Sequence, residues 1–485
     1  MNRKVVAGVL AGVLLLATVV PGLAQATDKT FWTNFTLVNL GDGPAAGEVE
    51  YVTTAGGDWG SESFTIPEAG GQAIFRQYAT AGDPGNPNLT EGNGSVVVSA
   101  DQPLGAVVQI LARGQDPTSS GAYSGFEAGD TSFYVPLAAK ELATASGLAN
   151  SQIVVQNTGG AAADVEIELI ASNGATTYIA DGGSLAAGAS WYYDLAEESD
   201  SNVPDSWYGS AVASTDTAGA SIVVVSNFFT GDAMQTFNAF GAAAPGTFWA
   251  VPLFTSRLGN SLSTPIAVQN LSGSSIPVGG VDVECQPDPS VGGSPISMSN
   301  TAAIGNSASY FFNPVTDMSI PTGFYGACTI ESTANVVAFV QMRFVDTGEA
   351  ASYEAMKAGG TKASIPLVAK RLGNGFATAA TIQNLSTTSA ATVDITYIPS
   401  PDYTGSSTPL QFNDVSIPAG GSLIHNHRVT TGAVASMPVG WFGTMVVESE
   451  GPDINAFVQL TFMPSINPGL PGGDNFMAHN AFTSD

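Results

Sequence analysis

The sequence predicts an all-β protein of four tandem antiparallel β-sandwich modules that follow one another in an elongated rod. Three observations lead to this prediction. Strand signatures return at a nearly constant spacing, no helical pattern of ten or more residues follows the first 26 residues, and the junctions between repeats are short. The chain of 485 residues also contains 56 Gly and 28 Pro, which suits short strands joined by many turns.

The last three modules open with the same strand signature. Val-Pro-Leu at 135–137 returns at 251–253 and, as Ile-Pro-Leu, at 365–367, so the spacings are 116 and 114 residues. A strand ending in Gln-Asn follows each opening, at 156–157, 269–270 and 383–384. Repeats of about this length suit one sandwich each, since such domains need about 100 residues.

An alternating strand is the second signature, and it carries acids on one face. It reads Val-Glu-Ile-Glu-Leu at 165–169, Val-Asp-Val-Glu-Cys at 281–285 and Val-Asp-Ile-Thr-Tyr at 393–397. Alternate side chains of a strand point to opposite faces. The acids therefore belong to a solvated outer face; a catalytic pair would have no reason to recur in each module.

Module boundaries follow from these signatures: 27–129, 130–245, 246–360 and 361–485. The first module is degenerate. It matches the later strands but lacks the Val-Pro-Leu opening. The junctions are too short for free swinging, which favours a semi-rigid rod.

Residues 1–26 read as a secretory signal peptide. Arg3 and Lys4 precede an uncharged apolar run at 5–20, and Ala-Gln-Ala at 24–26 is a small-residue cleavage site, so the mature chain is expected to begin at Thr27. We therefore expect a secreted protein at the extracellular cell surface. No second apolar stretch of spanning length follows, so no membrane span is expected in the mature chain.

The charge of the chain excludes several classes of partner. The 41 acidic and 13 basic residues give a net charge of −28, which becomes −30 when residues 1–26 are removed. Nucleic acids and anionic membranes need clusters of Lys and Arg. Divalent cations suit such a surface, so calcium is the one cofactor considered. No cofactor-binding motif is present, and the metal ligands are left unassigned.

The quoted motifs resemble the tandem immunoglobulin-like repeats of bacterial secreted surface and surface-layer proteins. The resemblance covers nearly all of the mature chain. It implies immunoglobulin-like sandwiches and a role outside the cell. The chain shows no catalytic signature and no anchoring domain of the surface-layer-homology type, so the mode of attachment is left open.

No enzyme activity is expected, because the residues that suggest chemistry have simpler interpretations. His425 and His427 lie two apart and could share a metal, but His425 aligns with Phe75, Tyr193 and Phe312, which favours a packing position. His479 has no obvious partner. The recurring aromatic position, at Trp207, Phe324 and Trp441, is interpreted as core packing with sugar stacking as the alternative.

Two covalent features are predicted. Cys285 and Cys328, the only cysteines, should form a disulfide across the core of the third module. Five residues begin Asn-x-Ser/Thr and are candidate glycosylation sites, although two of them share one repeat position that also suits a strand-ending turn: Asn34, Asn88, Asn93, Asn270 and Asn384.

These observations favour an exported structural subunit of the cell exterior that associates with itself, as a surface layer, sheath, filament or extracellular matrix component. The alternative is an adhesin or carbohydrate-binding protein that contacts cell-surface polysaccharide. Segment 475–482 is further considered as a strand that one copy donates to the first module of another, whose sheet edge lacks its opening strand.

Overall fold

The structure is a computed structural model that describes the backbone of residues 11–15 and residues 29–77, 89, 92–112, 117–289 and 291–485. Strands make up 58% of the chain. The one helical element in the described part is a short 3-10 helix, Leu195–Glu197. The expectation of an all-β protein is therefore confirmed. We refer to the four predicted module ranges as repeats 1 to 4.

Repeat 1 is built from two four-stranded sheets, of order β1-β6-β3-β4 and β5-β2-β7-β8. Its strands are β1 (Ala11–Leu15), β2 (Trp32–Asn39), β3 (Ala45–Thr53), β4 (Asp58–Ile66), β5 (Gln72–Arg76), β6 (Gly94–Ala100), β7 (Leu104–Leu111) and β8 (Ser120–Ser124). The first of these lies within the range predicted as a signal peptide and pairs with β6. In repeat 1, this strand occupies the position that the opening strand has in the other repeats. In repeat 2, for example, the opening strand at 132–140 pairs with residues 207–214.

Repeat 2 also contains two sheets, of order β10-β11-β16-β17, with β14 beside β11, and β13-β12-β15-β9-β18. Its strands are β9 (Ser132–Lys140), β10 (Leu142–Thr144), β11 (Gly147–Asn157), β12 (Ala163–Ala171), β13 (Thr176–Leu185), β14 (Ser190–Asp194), β15 (Trp207–Ser214), β16 (Ile222–Thr230), β17 (Ala233–Asn238) and β18 (Phe240–Gly241).

Repeat 3 pairs its strands in the same way, but one long strand passes from one layer to the other. The strands are β19 (Gly246–Ser256), β20 (Leu262–Ser263), β21 (Ile266–Asn270), β22 (Val281–Pro287), β23 (Ile296–Ser299), β24 (Ser309–Phe312), β25 (Phe324–Phe344) and β26 (Ala350–Glu354). The first half of β25 pairs with β19 and β22, and its second half pairs with β21 and β26.

Repeat 4 forms two sheets, of order β31-β28-β33-β34 and β30-β29-β32-β27-β35. Its strands are β27 (Lys362–Ala369), β28 (Phe376–Asn384), β29 (Ala391–Pro399), β30 (Leu410–Ile417), β31 (Ser422–Asn426), β32 (Phe442–Ser449), β33 (Ile454–Phe462), β34 (Phe476–Asn480) and β35 (Phe482–Ser484). Segment 475–482 is thus paired inside its own repeat and is not free to be donated, which contradicts the strand-donor hypothesis.

A buried asparagine organises the turns of every repeat. Asn157 is fully buried; its Nδ2 donates to the carbonyls of Ala161 and Leu185, and its Oδ1 accepts from the N–H of Gly159. The same arrangement is found at Asn39, Asn270 and Asn384. One side chain thus satisfies the buried backbone groups of two loops, which is why this residue returns at the end of each Gln-Asn strand.

The repeats are not strung in a rod: they close into a ring in which repeat 4 contacts repeat 1. The hydroxyl of Ser210 in repeat 2 donates to the carbonyl of Ser307 in repeat 3, at 2.5 Å, and Thr444 of repeat 4 donates to Gly70 of repeat 1, at 2.6 Å. Ser95 of repeat 1 lies 3.5 Å from the carbonyl of Gly188 in repeat 2. The predicted rod is therefore wrong.

The interface between repeats 3 and 4 uses a different bond. Repeat 3 has Ala327 at the position of the donor hydroxyl, and here Gln383 of repeat 4 donates to the carbonyl of Cys328, at 3.1 Å. Apolar packing is also continuous around the ring. Val107, Leu111 and Ala122 of repeat 1 belong to the hydrophobic cluster of repeat 4.

The last long strands of the repeats, β8, β17, β26 and β34, lie together at the centre, each in contact with the next and the fourth in contact with the first. These four central strands were missed as a group by the sequence signatures. All four repeats meet at these strands, so the strands position the candidate site.

Candidate functional site: the axial pocket

The central strands end in a circle of hydrogen bonds. Asn238 donates through Nδ2 to the carbonyl of Ser124, at 2.8 Å, and Asn480 donates to the carbonyl of Glu354, at 2.9 Å. The backbone N–H of Asn238 donates to Glu354 Oε1, at 2.7 Å, and Ser124 Oγ donates to the carbonyl of Asn480, at 3.3 Å. Each repeat contributes the last residue of its central strand, so all four repeats meet at this level.

A pocket of about 610 Å³ lies above this circle, which forms its floor. Aromatic side chains form its walls. Phe126 packs edge-on against Phe133, with ring centroids 5.8 Å apart, and Phe240 packs edge-on against Trp249, at 5.6 Å. Phe482 of repeat 4 also lines the pocket. These residues directly follow the central strands or begin the next repeat, so ring closure creates the pocket.

Glu354 is the one acidic residue of the floor. It is half-buried, and burial raises the pKa of its carboxyl to about 7, although the N–H bonds that it accepts act in the opposite direction. The basic residue at the pocket, Lys357, extends its ammonium group to the carbonyls of Ala243 and Pro245, at 3.3 and 3.0 Å. A charged carboxylate is costly in such a place unless it has a partner.

A second buried carboxylate joins the central strands at their other end. Asp474 of repeat 4 is 2% exposed; its Oδ2 accepts from the N–H of Met234 in repeat 2, at 2.9 Å, and its Oδ1 accepts from Ala350 in repeat 3, at 3.2 Å. Ser120 of repeat 1 donates to its carbonyl, at 3.0 Å. One side chain and its own backbone thus connect repeat 4 to all three other repeats. Burial holds the pKa of Asp474 well above its usual range.

His425, which was predicted as a packing residue, is buried in repeat 4, and so is His427. Nδ1 of His425 lies 2.7 Å and Nε2 of His427 lies 2.9 Å from the hydroxyl of Tyr397. Burial lowers the pKa of His425 to about 4 and that of His427 to about 3. In repeat 4, His425 pairs with Ala380, and in repeat 2, Tyr193 pairs with Ile153 at the equivalent position of the sheet. The sequence alignment of His425 with Tyr193 was therefore correct. No group of three metal-ligating side chains occurs in the described ranges.

His479 also has a place in the core that the sequence did not reveal. It lies on β34 at the position of three aromatic residues in the other central strands: Tyr123, Phe237 and Tyr353. Its Nδ1 lies 2.9 Å from the carbonyl oxygen of Asn480, and burial lowers its pKa to about 4. The recurring aromatic position at Trp207, Phe324 and Trp441 is buried as well, so core packing was the correct interpretation and the sugar-stacking alternative is wrong.

The disulfide between Cys285 and Cys328 is present. However, it joins directly paired neighbours on β22 and β25 and does not cross the core between sheets. The aligned pairs in the other repeats are cross-strand neighbours too: Leu169 with Ala211 and Tyr397 with Met445. The expected location across the core is therefore corrected to a location within one sheet.

The candidate glycosylation sites differ in accessibility. Asn270 and Asn384 are fully buried and fully hydrogen-bonded, which contradicts their glycosylation in the folded chain. Asn34 and Asn93 are half-buried, and Asn88 lies outside the described residues. The strand-ending turn is thus the correct interpretation of the shared repeat position.

The acids of the alternating strands lie on the outer faces, as expected. Glu50, Glu166, Asp282 and Glu284 are exposed, while the apolar residues between them are buried. In repeat 3, Asp282 pairs directly with Glu331, and in repeat 4, Asp394 pairs with Glu448. Like charges directly opposite each other destabilise a sheet.

No helix in the described part of the chain is long and apolar enough to cross a membrane.

No protein family matches the sequence, and no curated protein does. Among solved structures, the chain is similar to protein 1070 of Thermotoga maritima, with 12% identity over 24% of this chain and 97% of that one and a TM-score of 0.19. It is also similar to a serine-rich repeat protein of Streptococcus agalactiae, with 11% identity over 79% of this chain and 85% of that one and a TM-score of 0.12. A third similar structure is an alpha-L-rhamnosidase of Streptomyces avermitilis in complex with L-rhamnose, with 8% identity over 89% of this chain and 56% of that one and a TM-score of 0.11.

Proposed function

We propose that the chain is an exported structural subunit of the cell exterior, built from four immunoglobulin-like β-sandwich modules, and that it has no enzyme activity. The observation that carries this proposal is the use of the interior polar groups. The buried asparagines, the interface hydroxyls and Asp474 all hold turns and repeats together. The three histidines, which a hydrolase would need as bases, are buried with lowered pKa values.

The outer faces support self-association through divalent cations. The directly opposed pair Asp282/Glu331 places two carboxylates side by side on a solvated sheet. In the equivalent pair of repeat 4, Asp394/Glu448, the carboxylate of Glu448 already lies 3.8 Å from the ammonium group of Lys362. Calcium binds carboxylate oxygens, and a cation between two copies would offset repulsion within a pair and between chains of net charge −28. The ring is a closed block, so its copies would meet through these outer faces.

Light scattering of the purified mature chain tests the assembly proposal. We expect a monomer with chelator and larger particles with millimolar Ca²⁺. The double variant Asp282→Asn/Glu331→Gln should weaken the calcium response, whereas Asp402→Asn, at an exposed acid in a loop, should leave it unchanged. A strict monomer under both conditions at high protein concentration would contradict the structural role. The alternative of a ligand-binding surface protein, which the axial pocket favours, would then replace it.

N-terminal sequencing of the exported protein tests the location. We expect the chain to begin at Thr27, which would also remove β1 from the edge of repeat 1. Recovery of Met1 in exported material would contradict the predicted cleavage.

A further inference from the structure

The floor of the axial pocket breaks the near-symmetry of the ring. The four repeats place Ser124, Asn238, Glu354 and Asn480 at one equivalent position, and three of these side chains are uncharged. Only repeat 3 carries an acid there. Within the described part of the chain, no ion pair to Glu354 is found, and Lys357 is turned to backbone carbonyls at the rim. The structure of the ring does not itself require this charge, since a neutral amide serves the same position twice.

Two amide oxygens lie beneath the floor without donors. Oδ1 of Asn238 and Oδ1 of Asn480 are buried without a hydrogen-bond partner, because the amide nitrogen of each side chain is used to join neighbouring central strands. The two amides are thus committed to joining the strands, and the half-buried carboxyl of Glu354 is the floor group that can receive a ligand. A carboxylate in such a place calls for a partner that donates hydrogen bonds and carries a positive charge.

The walls decide between a metal ion and an organic cation. Calcium takes about six to eight oxygen ligands, whereas the pocket lining holds two acids, Asp130 and Glu354. The walls are formed by Phe126, Phe240, Trp249 and Phe482, whose rings attract cations at their faces and exclude water from an apolar body. A primary ammonium group is a compact cation with three donors, which suits the half-buried carboxyl of Glu354.

We propose that the axial pocket binds a primary organic amine, with its ammonium group on Glu354 and an apolar body against the aromatic walls. This site does not depend on export or on self-association. The raised pKa of Glu354 supports it, because a bound ammonium group would pull the carboxyl to its charged form and release a proton near neutral pH.

Isothermal titration of the full chain with benzylamine tests the proposal, with benzyl alcohol as the uncharged probe of the same shape. We expect saturable binding of benzylamine and at least tenfold weaker binding of benzyl alcohol. Near pH 6.5, benzylamine binding should also release a proton, so the measured heat should change with the ionisation enthalpy of the buffer. Glu354→Gln should weaken benzylamine binding at least tenfold and abolish the proton release. Asp402→Asn, a charge change of the same kind on the surface, should change neither.

Thermal melts establish that each variant is folded, and Glu354→Asp, which keeps the charge, should retain more binding than Glu354→Gln. Three results would overturn the proposal: no saturable heat at millimolar benzylamine, equal binding of the alcohol, or undiminished binding by a folded Glu354→Gln variant.

Discussion

The hydroxyl of Thr444 donates a hydrogen bond of 2.6 Å to the carbonyl of Gly70, a residue 374 positions earlier in the chain. Gly70 has a φ of 69°, and a Cβ placed on it would lie 2.7 Å from Cδ1 of Ile398, so repeat 1 approaches repeat 4 closely at this point. The bond repeats the contact that Ser210 makes to Ser307 between repeats 2 and 3. The interface that closes the ring is thus built like an interface within it.

Replacing Thr444 with Val should weaken ring closure. The change keeps the shape of the side chain but leaves the buried carbonyl of Gly70 without its donor, at a cost of about 1–3 kcal/mol. Chemical denaturation measures this loss. Thr381→Val is the matched control, because the hydroxyl of Thr381 is buried without a partner and its removal should be neutral or stabilising. Equal effects of the two variants would contradict the role of the Thr444 bond.

Asp474→Ala should destabilise the ring more than any single interface hydroxyl. It leaves the N–H groups of Met234 and Ala350 unpaired in two other repeats, at about 1–3 kcal/mol each. Asp474→Asn keeps one acceptor oxygen and should cost less. Denaturation curves check both, with the exposed Asp402→Ala as a control. A loss below about 1 kcal/mol for Asp474→Ala would show that these bonds do not hold the repeats together.

Glu354 should make the protein less stable as the pH rises from about 4.5 to about 7. Its folded pKa, about 7, lies above the ordinary value of 4.5, so in this window the folded state holds a proton that the unfolded state has lost. The full difference is about 3 kcal/mol, at about 1.4 kcal/mol for each pH unit. Glu354→Gln should remove this part of the pH dependence, measured as unfolding free energy at pH 5 and pH 8. Parallel profiles for wild type and variant would contradict the assignment.

Reduction of the disulfide should destabilise the chain by about 4 kcal/mol, as the chain-entropy account gives for its sequence separation of 43 residues. The double variant Cys285→Leu/Cys328→Ala copies the aligned pair of repeat 2 and should fold without the bridge. Denaturation with and without reductant measures the difference. The unfolding free energy of the variant should not change with reductant. If that of the wild type does not change either, the disulfide contributes nothing to stability.

The sequence was sufficient to predict the all-β class and much of the detail within a repeat. The aromatic position filled by His425 was identified correctly. The disulfide between Cys285 and Cys328 was also predicted, although its location within one sheet was not. These features could be found because alternation and repetition report what each repeat buries within itself.

The ring could not be predicted from the same signals. Several hydrogen bonds between repeats use single hydroxyls and turn carbonyls, such as those of Ser210 and Ser307, which look like ordinary surface residues in a Ser-rich chain. The central strands carry short, mixed sequences without clear alternation. One available signal was the recurring Tyr123, Phe237 and Tyr353 position, to which His479 belongs. The axial pocket follows from ring closure and was therefore missed with it.

Small-angle X-ray scattering of the mature chain, at low concentration and with chelator to prevent association, tests the closed ring most directly. A compact particle of this length should have a radius of gyration of about 23 Å. We expect a value close to this one for wild type and an increase when Asp474→Ala is combined with Thr444→Val. A rod-like profile with a maximum dimension well beyond roughly 100 Å, the least length of four sandwiches set end to end, would contradict it.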